Sequence, residues 1–272
     1  ECITLGNGSN HVLDLIARVF LAPGRESLFS QHAFAVYPLS SMAAGAELRV
    51  AAASEYGHDL DAMQAMISAD TRVIWIANPN NPTGTWLSDD VLYDFLKSVP
   101  DDVIVVIDEA YFEYVREPGY PDASRWLDQF PNLVVTRTFS KAYGLASMRV
   151  GYGLSHPDVA DLLNRVRQPF NVNSFAQAAA LAALGDRDYL QRSVELNDAG
   201  LVQLAMGLDH LKLDYIPSVG NFITLLLENS AAEMDLALLK EGVITRPVEN
   251  YGIRNGLRVS VGLPEENARF LE

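Results

Sequence analysis

The sequence predicts an α/β fold, with a mostly parallel central sheet between helices. Residues 73–77 and 103–107 are short apolar runs of strand length, and the second is rich in β-branched residues, as expected for a strand buried on both faces. A segment with helical periodicity, 88–99, separates them. The 272 residues exceed the usual size of one domain. We therefore expect a large domain over residues 1–198 and a smaller α+β domain over residues 199–272.

The composition excludes several classes of partner. The chain carries 35 acidic and 20 basic residues, a net charge of −15, which argues against nucleic acid or an anionic membrane as its main partner. A single cysteine, Cys2, excludes an internal disulfide and fits a reducing cytoplasm. The five histidines are scattered, so no metal site is predicted. No apolar run has the length of a membrane span, and no signal peptide is visible.

The first half of the chain alternates predicted helices and strands. Apolar residues recur on one face of segment 12–20, and Ser9 or Asn10 is a suitable N-cap for that helix. The free N–H groups of such a turn can hold an anion, and the alternative is a capped helix without a ligand. The elements expected next are a strand over 26–30, a helix over 34–44 interrupted at Pro38, a strand over 48–52 and a helix over 59–67 capped by Asp59.

Polar residues follow three predicted strands at the point where each strand ends. The loop Asn78-Pro79-Asn80-Asn81-Pro82-Thr83-Gly84 comes after the first run, Asp108 after the second, and Lys141 after the third run, 133–135. Ligands of open α/β sheets bind at the edge where the carboxyl ends of the strands lie. Most lysines are solvated surface residues, but the position of Lys141 downstream of Asp108 favours a role in chemistry.

The second half is predicted to be mostly helical before it returns to strands. The expected helices cover 159–166, 174–184, 188–211 and 231–241, and the expected strands cover 221–227, 243–248 and 257–261.

A lysine and a carboxylate in this arrangement suggest one cofactor. An unprotonated lysine amine can form a Schiff base with a carbonyl, and a carboxylate that faces a pyridine nitrogen keeps the ring protonated. This pairing is typical of pyridoxal phosphate (PLP) enzymes. With these motifs, from Leu5-Gly6-Asn7-Gly8-Ser9 to Leu257-Arg258-Val259-Ser260-Val261-Gly262, the chain resembles the fold-type I aminotransferases, and most closely the histidinol-phosphate aminotransferase family.

The resemblance implies a role for each matching residue. Lys141 is expected to carry PLP and then to act as general acid and base, and Asp108 to face the ring nitrogen. Asn81 and Tyr111 are expected at the phenolic oxygen, with Asn81 also near the substrate. Phe34 is expected to stack on the ring, with a core aromatic residue as the alternative. The residues expected to hold the PLP phosphate are Gly8, Ser9, Asn10, Ser140 and Arg149.

Two arginines match the family's positions for the substrate anion. They are Arg258 and Arg246, and for Arg246 the alternative is a solvated loop residue. The segment around Lys141, residues 137–149, departs from the family only slightly, with Ser147 where glycine is frequent.

The resemblance implies that a homodimer uses histidinol phosphate and 2-oxoglutarate to make imidazole acetol phosphate and glutamate. An aromatic amino acid aminotransferase and a phosphothreonine decarboxylase share the motif set and stay open. A PLP-binding sensor is less favoured because no DNA-binding segment is visible, and a Ser140/Lys141 hydrolase leaves Asp108, Asn81 and Tyr111 without roles. Relative to the family, we expect that the N-terminal arm and the end of the C-terminal helix are absent.

Overall fold

The computed structural model describes residues 1–272 and contains two main sheets and a short hairpin. The strands are β1 (Ile3–Gly6), β2 (Glu26–Ser30), β3 (Glu47–Ala51), β4 (Ala53–Ser54), β5 (Gly57–His58), β6 (Thr71–Ala77), β7 (Ile104–Asp108), β8 (Leu133–Thr138), β9 (Gly151–Ser155), β10 (Asp214–Ile216), β11 (Phe222–Leu226), β12 (Arg246–Pro247) and β13 (Gly256–Ser260).

The helices alternate with these strands along the chain. They are α1 (Ser9–Phe20), α2 (Val36–Ala43), α3 (Leu60–Ala65), α4 (Asp89–Ser98), α5 (Pro157–Val166), α6 (Ser174–Gly185), α7 (Arg187–Leu211), α8 (Ala231–Lys240) and α9 (Pro264–Leu271). No helix is both long enough and apolar enough to cross a membrane.

The larger sheet has seven strands in the order β1-β9-β8-β7-β6-β2-β3. The pairs from β8 to β3 are all parallel, and only β9 runs against its two neighbours. The predicted α/β fold with a mostly parallel sheet is therefore confirmed. Because β6, β7 and β8 are adjacent and parallel, the three segments that follow them emerge at the same edge of the sheet.

Helices cover both faces of this sheet, so its central strands are buried on both sides. On β6, Val73 and Trp75 pack in the cluster that contains α1, α2 and α5. Ile74 and Ile76 pack in the other cluster, with α3 and α4. The alternation explains why these strands read as continuous apolar runs in the sequence.

Three local predictions were wrong. Pro38 does not interrupt a helix, because it is the third residue of α2, where the backbone N–H that proline lacks has no partner in any case. The N-cap of α1 is Gly8, with φ 75°, and neither Ser9 nor Asn10 caps the helix. The strand predicted over 243–248 is only β12, Arg246–Pro247. Asp59, by contrast, caps α3 as predicted and accepts a hydrogen bond from the Ala62 N–H (2.9 Å).

The smaller sheet has four antiparallel strands in the order β10-β11-β13-β12. Its apolar side packs on α7 through Leu204 and Leu208. Helix α7 has 25 residues, and the boundary predicted at 198/199 lies inside it. Two hydrogen bonds join this part to the loop after β6: the Val219 N–H donates to the Gly84 carbonyl (3.1 Å), and the Thr224 hydroxyl donates to the Pro82 carbonyl. The smaller sheet thus lies over the edge where the three polar segments emerge.

Candidate active site

A cavity opens at the carboxyl ends of β6, β7 and β8, and most of the predicted site residues line it. Those that do are Ser9, Asn10, Phe34, Asn81, Asp108, Tyr111, Ser140, Lys141 and Arg149. They come from the start of α1, the segment before α2, and the segments that follow or end the three strands. The structure therefore brings together residues that are up to 140 positions apart in the chain, from Ser9 to Arg149 (149 − 9 = 140).

Asp108 is the last residue of β7, and its carboxylate is almost fully buried. The hydroxyl of Tyr37 donates to Oδ2 (2.9 Å), and the hydroxyl of Thr136 donates to Oδ1 (2.8 Å). Burial raises the pKa of Asp108, while these hydrogen bonds and the positive charge of Lys141 act in the opposite direction. The carboxylate is thus held in one orientation at the floor of the cavity.

Lys141 lies beyond the end of β8, with its ammonium nitrogen 5.1 Å from the centre of the Tyr111 ring. Burial lowers the pKa of its amine below the usual value. The positive charges of Arg258 and Arg149 lower it further, and Asp108 acts in the opposite direction. The environment therefore shifts the amine towards its neutral form, which is the form that attacks a carbonyl.

Other residues that line the cavity can bind an anion. Arg149, in the left-handed conformation with φ 60°, donates from Nη1 to the Ser140 hydroxyl (3.3 Å). Gly8 does not line the cavity but packs on this arginine, since a Cβ at Gly8 would lie 3.1 Å from the Arg149 Cζ and clash with its guanidinium. The N-terminus of α1 adds the free backbone N–H groups of Ser9 and Asn10.

The loop after β6 is held by the side chains of its own asparagines. The Asn78 side chain exchanges two hydrogen bonds with the backbone of Leu87 (2.8 and 3.1 Å), and Asn80 donates to the His32 carbonyl (3.0 Å). These bonds leave Asn81 as the asparagine of the loop that lines the cavity.

Arg258, on β13 of the smaller sheet, does not line the cavity itself but contacts Asn81, which does. Its Nη1 donates to the Asn81 Oδ1, and its guanidinium lies 5.2 Å from the Phe222 ring centre. Its Nε is buried and has no hydrogen-bond partner. A buried cationic donor without a partner is costly, and an anionic group bound beside Asn81 would satisfy it.

Of the two predicted site residues Arg246 and Phe34, only Phe34 lines the cavity. Arg246 is exposed, pairs in register with Arg258 across β12 and β13, and does not line the cavity. Phe34 does line it, half-buried, with its ring 5.8 Å from that of Tyr37 in an edge-on arrangement.

Sequence reasoning missed the two hydroxyl groups that hold Asp108. For Thr136 a signal existed, because parallel pairing of the two predicted strands sets it beside Asp108, as the register shows. For Tyr37 there was none, since it belongs to a helix and reaches Asp108 over 71 positions.

The residues present fit PLP at both of its charged ends. Arg149, Ser140 and the start of α1 form a cationic, N–H-rich end for a phosphate. At the other end the oriented carboxylate of Asp108 suits a protonated ring nitrogen, and the amine of Lys141 lies in the same cavity. No group of three or more His, Cys, Asp or Glu side chains is arranged to hold a metal ion.

Comparison with known proteins gives the same result. The family described as aminotransferase class I and II matches residues 1–272. Histidinol-phosphate aminotransferase 2 of Pseudomonas fluorescens (strain Pf0-1) is 60% identical over 270 residues, which cover 99% of this chain and 73% of the relative. Histidinol-phosphate aminotransferase 1 of Nitrosococcus oceani is 54% identical over the same shares.

Solved structures agree with this result. The histidinol-phosphate aminotransferase from Sinorhizobium meliloti in complex with pyridoxal-5'-phosphate superposes with a TM-score of 0.92 at 26% identity, covering 99% of this chain and 75% of that one. The L-threonine-O-3-phosphate decarboxylase from Porphyromonas gingivalis, at 24% identity and a TM-score of 0.86, covers 99% of this chain and 81% of that one and shares the fold. The chain belongs to the class I and II aminotransferase family and is a PLP-dependent transaminase.

Proposed function

We propose that this transaminase converts histidinol phosphate and 2-oxoglutarate into imidazole acetol phosphate and glutamate. The observation that carries the proposal is the 60% identity with histidinol-phosphate aminotransferases over 99% of the chain. Arg258 supports it, because this arginine has a buried N–H without a partner and contacts Asn81, which lines the cavity. Both substrates bring an anion to this position: a phosphate in histidinol phosphate and a carboxylate in 2-oxoglutarate.

In this proposal PLP supplies an electron sink for the pair of electrons left when the substrate Cα loses its proton. Lys141 holds the cofactor through its amine, whose pKa is lowered by burial and by the positive charge of Arg258. With PLP bound, the Lys141 Nζ would be the general base that takes the proton from the substrate Cα and the general acid that gives it back. Asp108 keeps the ring nitrogen protonated, and its fixed orientation supports this assignment.

The remaining side chains orient the cofactor and the substrate. Arg149 and Ser140 bind the PLP phosphate with the N-terminus of α1, to which Gly8, Ser9 and Asn10 belong. We assign the PLP phenolic oxygen to Asn81 and Tyr111, and the ring face to Phe34, since all three line the cavity. Arg258 binds the substrate anion, and Arg246, one strand away from it, is proposed as a second contact.

Two other substrates remain candidates in this fold, an aromatic amino acid and phosphothreonine. A panel of amino donors separates them: histidinol phosphate, phenylalanine, tyrosine and phosphothreonine, each with 2-oxoglutarate, with glutamate and carbon dioxide as the measured products. We expect glutamate formation to be fastest, in kcat/KM, with histidinol phosphate, and no carbon dioxide from phosphothreonine. Lys141→Ala, expected to be inactive with every donor, is the control. A higher kcat/KM with an aromatic donor, or carbon dioxide release, would refute the proposed substrate.

We further propose a homodimer. Support comes from a cluster of exposed apolar side chains on and just before α6: Phe175, Leu181 and Leu184 are 79%, 76% and 56% exposed, and Phe170 is 96% exposed. Monomeric proteins seldom leave such a cluster uncovered. Sedimentation velocity should give a dimer that Leu181→Arg converts to monomer, whereas Met206→Arg, at another exposed apolar position (68%), leaves the dimer intact. A monomer at micromolar concentration, or equal effects of the two variants, would contradict this assignment.

We also propose that residues 1–198 and 199–272 act as the large and small domains, and that the enzyme works in the cytoplasm. The separate core of the smaller sheet supports the division into two domains. The single cysteine, Cys2, forms no disulfide, which fits the cytoplasm. Limited proteolysis that leaves a stable fragment ending near residue 198, and cell fractionation, test the two proposals.

A further inference from the structure

Two hydroxyl groups from different parts of the fold hold the carboxylate of Asp108. Tyr37 comes from α2 and donates to Oδ2 (2.9 Å), and Thr136 comes from β8 and donates to Oδ1 (2.8 Å). Both donor residues are fully buried. Each carboxylate oxygen therefore has one fixed donor, and the fold sets the direction of the lone pairs that remain.

The phenol of Tyr37 is itself locked in place by the core. Its ring stacks on Trp75 with a centroid distance of 5.3 Å and an angle of 7°. The indole N–H of Trp75 donates to the Ser27 hydroxyl (2.8 Å), which lies 2.6 Å from the Ser41 hydroxyl. Because this chain of contacts is buried, the Tyr37 hydroxyl cannot turn away from Asp108 without disturbing packing on both sides.

The two hydroxyl groups favour one protonation state of Asp108. Burial alone would favour the neutral acid, and donated hydrogen bonds favour the carboxylate. The carboxylate can accept from both hydroxyl groups and also from a third donor in the cavity, and it is a stronger acceptor than the neutral acid. A protonated pyridine nitrogen is such a donor.

We propose that Tyr37 and Thr136 are positioning residues, which keep Asp108 ionised and aimed at the ring nitrogen of the cofactor. The inference rests on the proposed contact between Asp108 and that nitrogen. Neither residue needs to touch the substrate, since both act through the carboxylate.

The test compares binding of PLP with binding of its analogue that carries a C–H group in place of the ring nitrogen. Both are titrated into apoprotein freed of cofactor, with dissociation constants read from absorbance and fluorescence. Tyr37→Phe and Thr136→Val each remove one hydrogen bond to a charged group, so each should reduce the preference for PLP over the analogue by about tenfold or more. Thr136→Ser keeps a hydroxyl and should restore the preference.

Tyr93→Phe is the matched control, because the Tyr93 hydroxyl donates to Gln129 at the surface (2.7 Å), and it should leave the preference unchanged. Equal loss of affinity for both ligands in Tyr37→Phe and Thr136→Val would mean that the two residues only support the fold, which overturns the inference. If Tyr37→Phe does not fold, the pair Thr136→Val and Thr136→Ser decides alone. Asp108→Asn distinguishes failure of the inference from failure of the proposed role of Asp108. If Asp108→Asn also keeps the preference for PLP, Asp108 does not act on the ring nitrogen. If Asp108→Asn loses the preference but the hydroxyl variants keep it, only the inference about Tyr37 and Thr136 fails.

Discussion

Replacement of Arg137 by methionine is expected to destabilise the protein strongly, and more so at alkaline pH. Arg137, on β8, binds the completely buried carboxylate of Glu109 with Nε (2.8 Å) and Nη2 (2.6 Å). The same Nη2 reaches Asp122 (2.6 Å), and the guanidinium lies 3.7 Å from the centre of the Phe112 ring. Methionine keeps much of the apolar stem but removes the positive charge.

The magnitude follows from the burial of Glu109. Without Arg137 its carboxylate keeps only the hydrogen bond from the Ala123 N–H (3.0 Å). Breaking a buried ion pair by removal of one partner costs about 3–5 kcal/mol. Asp122 is partly exposed, so loss of its ion pair with Arg137 adds at most about 1 kcal/mol to the destabilisation.

The pH dependence follows from the pKa of Glu109. Burial raises this pKa from 4.5 to about 7, although Arg137 opposes the shift, so removal of Arg137 raises it further. Between about pH 4.5, where the unfolded carboxyl titrates, and the pKa of the folded state, the folded protein binds more protons than the unfolded one. Stability therefore falls as pH rises through this window, and the deficit of Arg137→Met should be smaller at pH 5.5 than at pH 8.5.

Urea unfolding followed by circular dichroism at both pH values measures these free energies. The double variant Arg137→Met/Glu109→Gln removes the charge but keeps an acceptor for Ala123, so at pH 8.5 it should be more stable than Arg137→Met alone. A loss below about 1 kcal/mol, as for a surface pair, or an equal loss at both pH values, would refute the reasoning.

Three further predictions concern the site and the loop after β6. Arg258→Met removes a charge that lowers the pKa of Lys141, so the pH at which the Lys141 amine of the apoprotein reacts with an amine reagent should rise. Asp108→Asn should still bind PLP but lose several powers of ten in kcat, at about 1.4 kcal/mol of barrier per tenfold, measured in single-turnover half-reactions. Gly84→Ala should cost about 2 kcal/mol or more in urea unfolding, because Gly84 has φ 76° and its new Cβ would lie 2.8 Å from the Ser218 Cα.

Each of these has a control and an outcome that contradicts it. Arg254→Met, at an exposed position, should leave the reactivity of Lys141 unchanged, and an equal shift would mean that Arg258 does not act through its charge. Near-normal turnover in Asp108→Asn would show that this residue does not face the ring nitrogen. Gly119 also has a positive φ (85°), but a Cβ there meets open space. If Gly119→Ala lowers the free energy of unfolding as much as Gly84→Ala does, backbone strain and not the contact with Ser218 is the cause.

The sequence alone predicted five strands of the larger sheet, all except β1 and β9, and the position of the cavity. Apolar runs and the helical segment between the first two of them are local patterns. Parallel strands bring their carboxyl ends to one edge of the sheet, and this does not depend on which side chains follow them. Asn81, Asp108 and Lys141 follow three such runs, so the cavity that they share in the structure was already implied. The motifs were also sufficient for the family, which was confirmed.

Only the tertiary structure decided which side chains surround these residues. Tyr37 reaches Asp108 from 71 positions away, and Arg258 reaches Asn81 across 177 positions. Such contacts depend on the angle and distance at which a helix or a second sheet packs on the first, which no local periodicity encodes. The ion pair of Arg137 and Glu109 also joins two strands, since Arg137 lies on β8, Glu109 follows β7, and they meet only because β7 and β8 are neighbours. Local sequence therefore specifies where each strand ends, whereas packing between distant elements determines the charge and orientation of the groups found there.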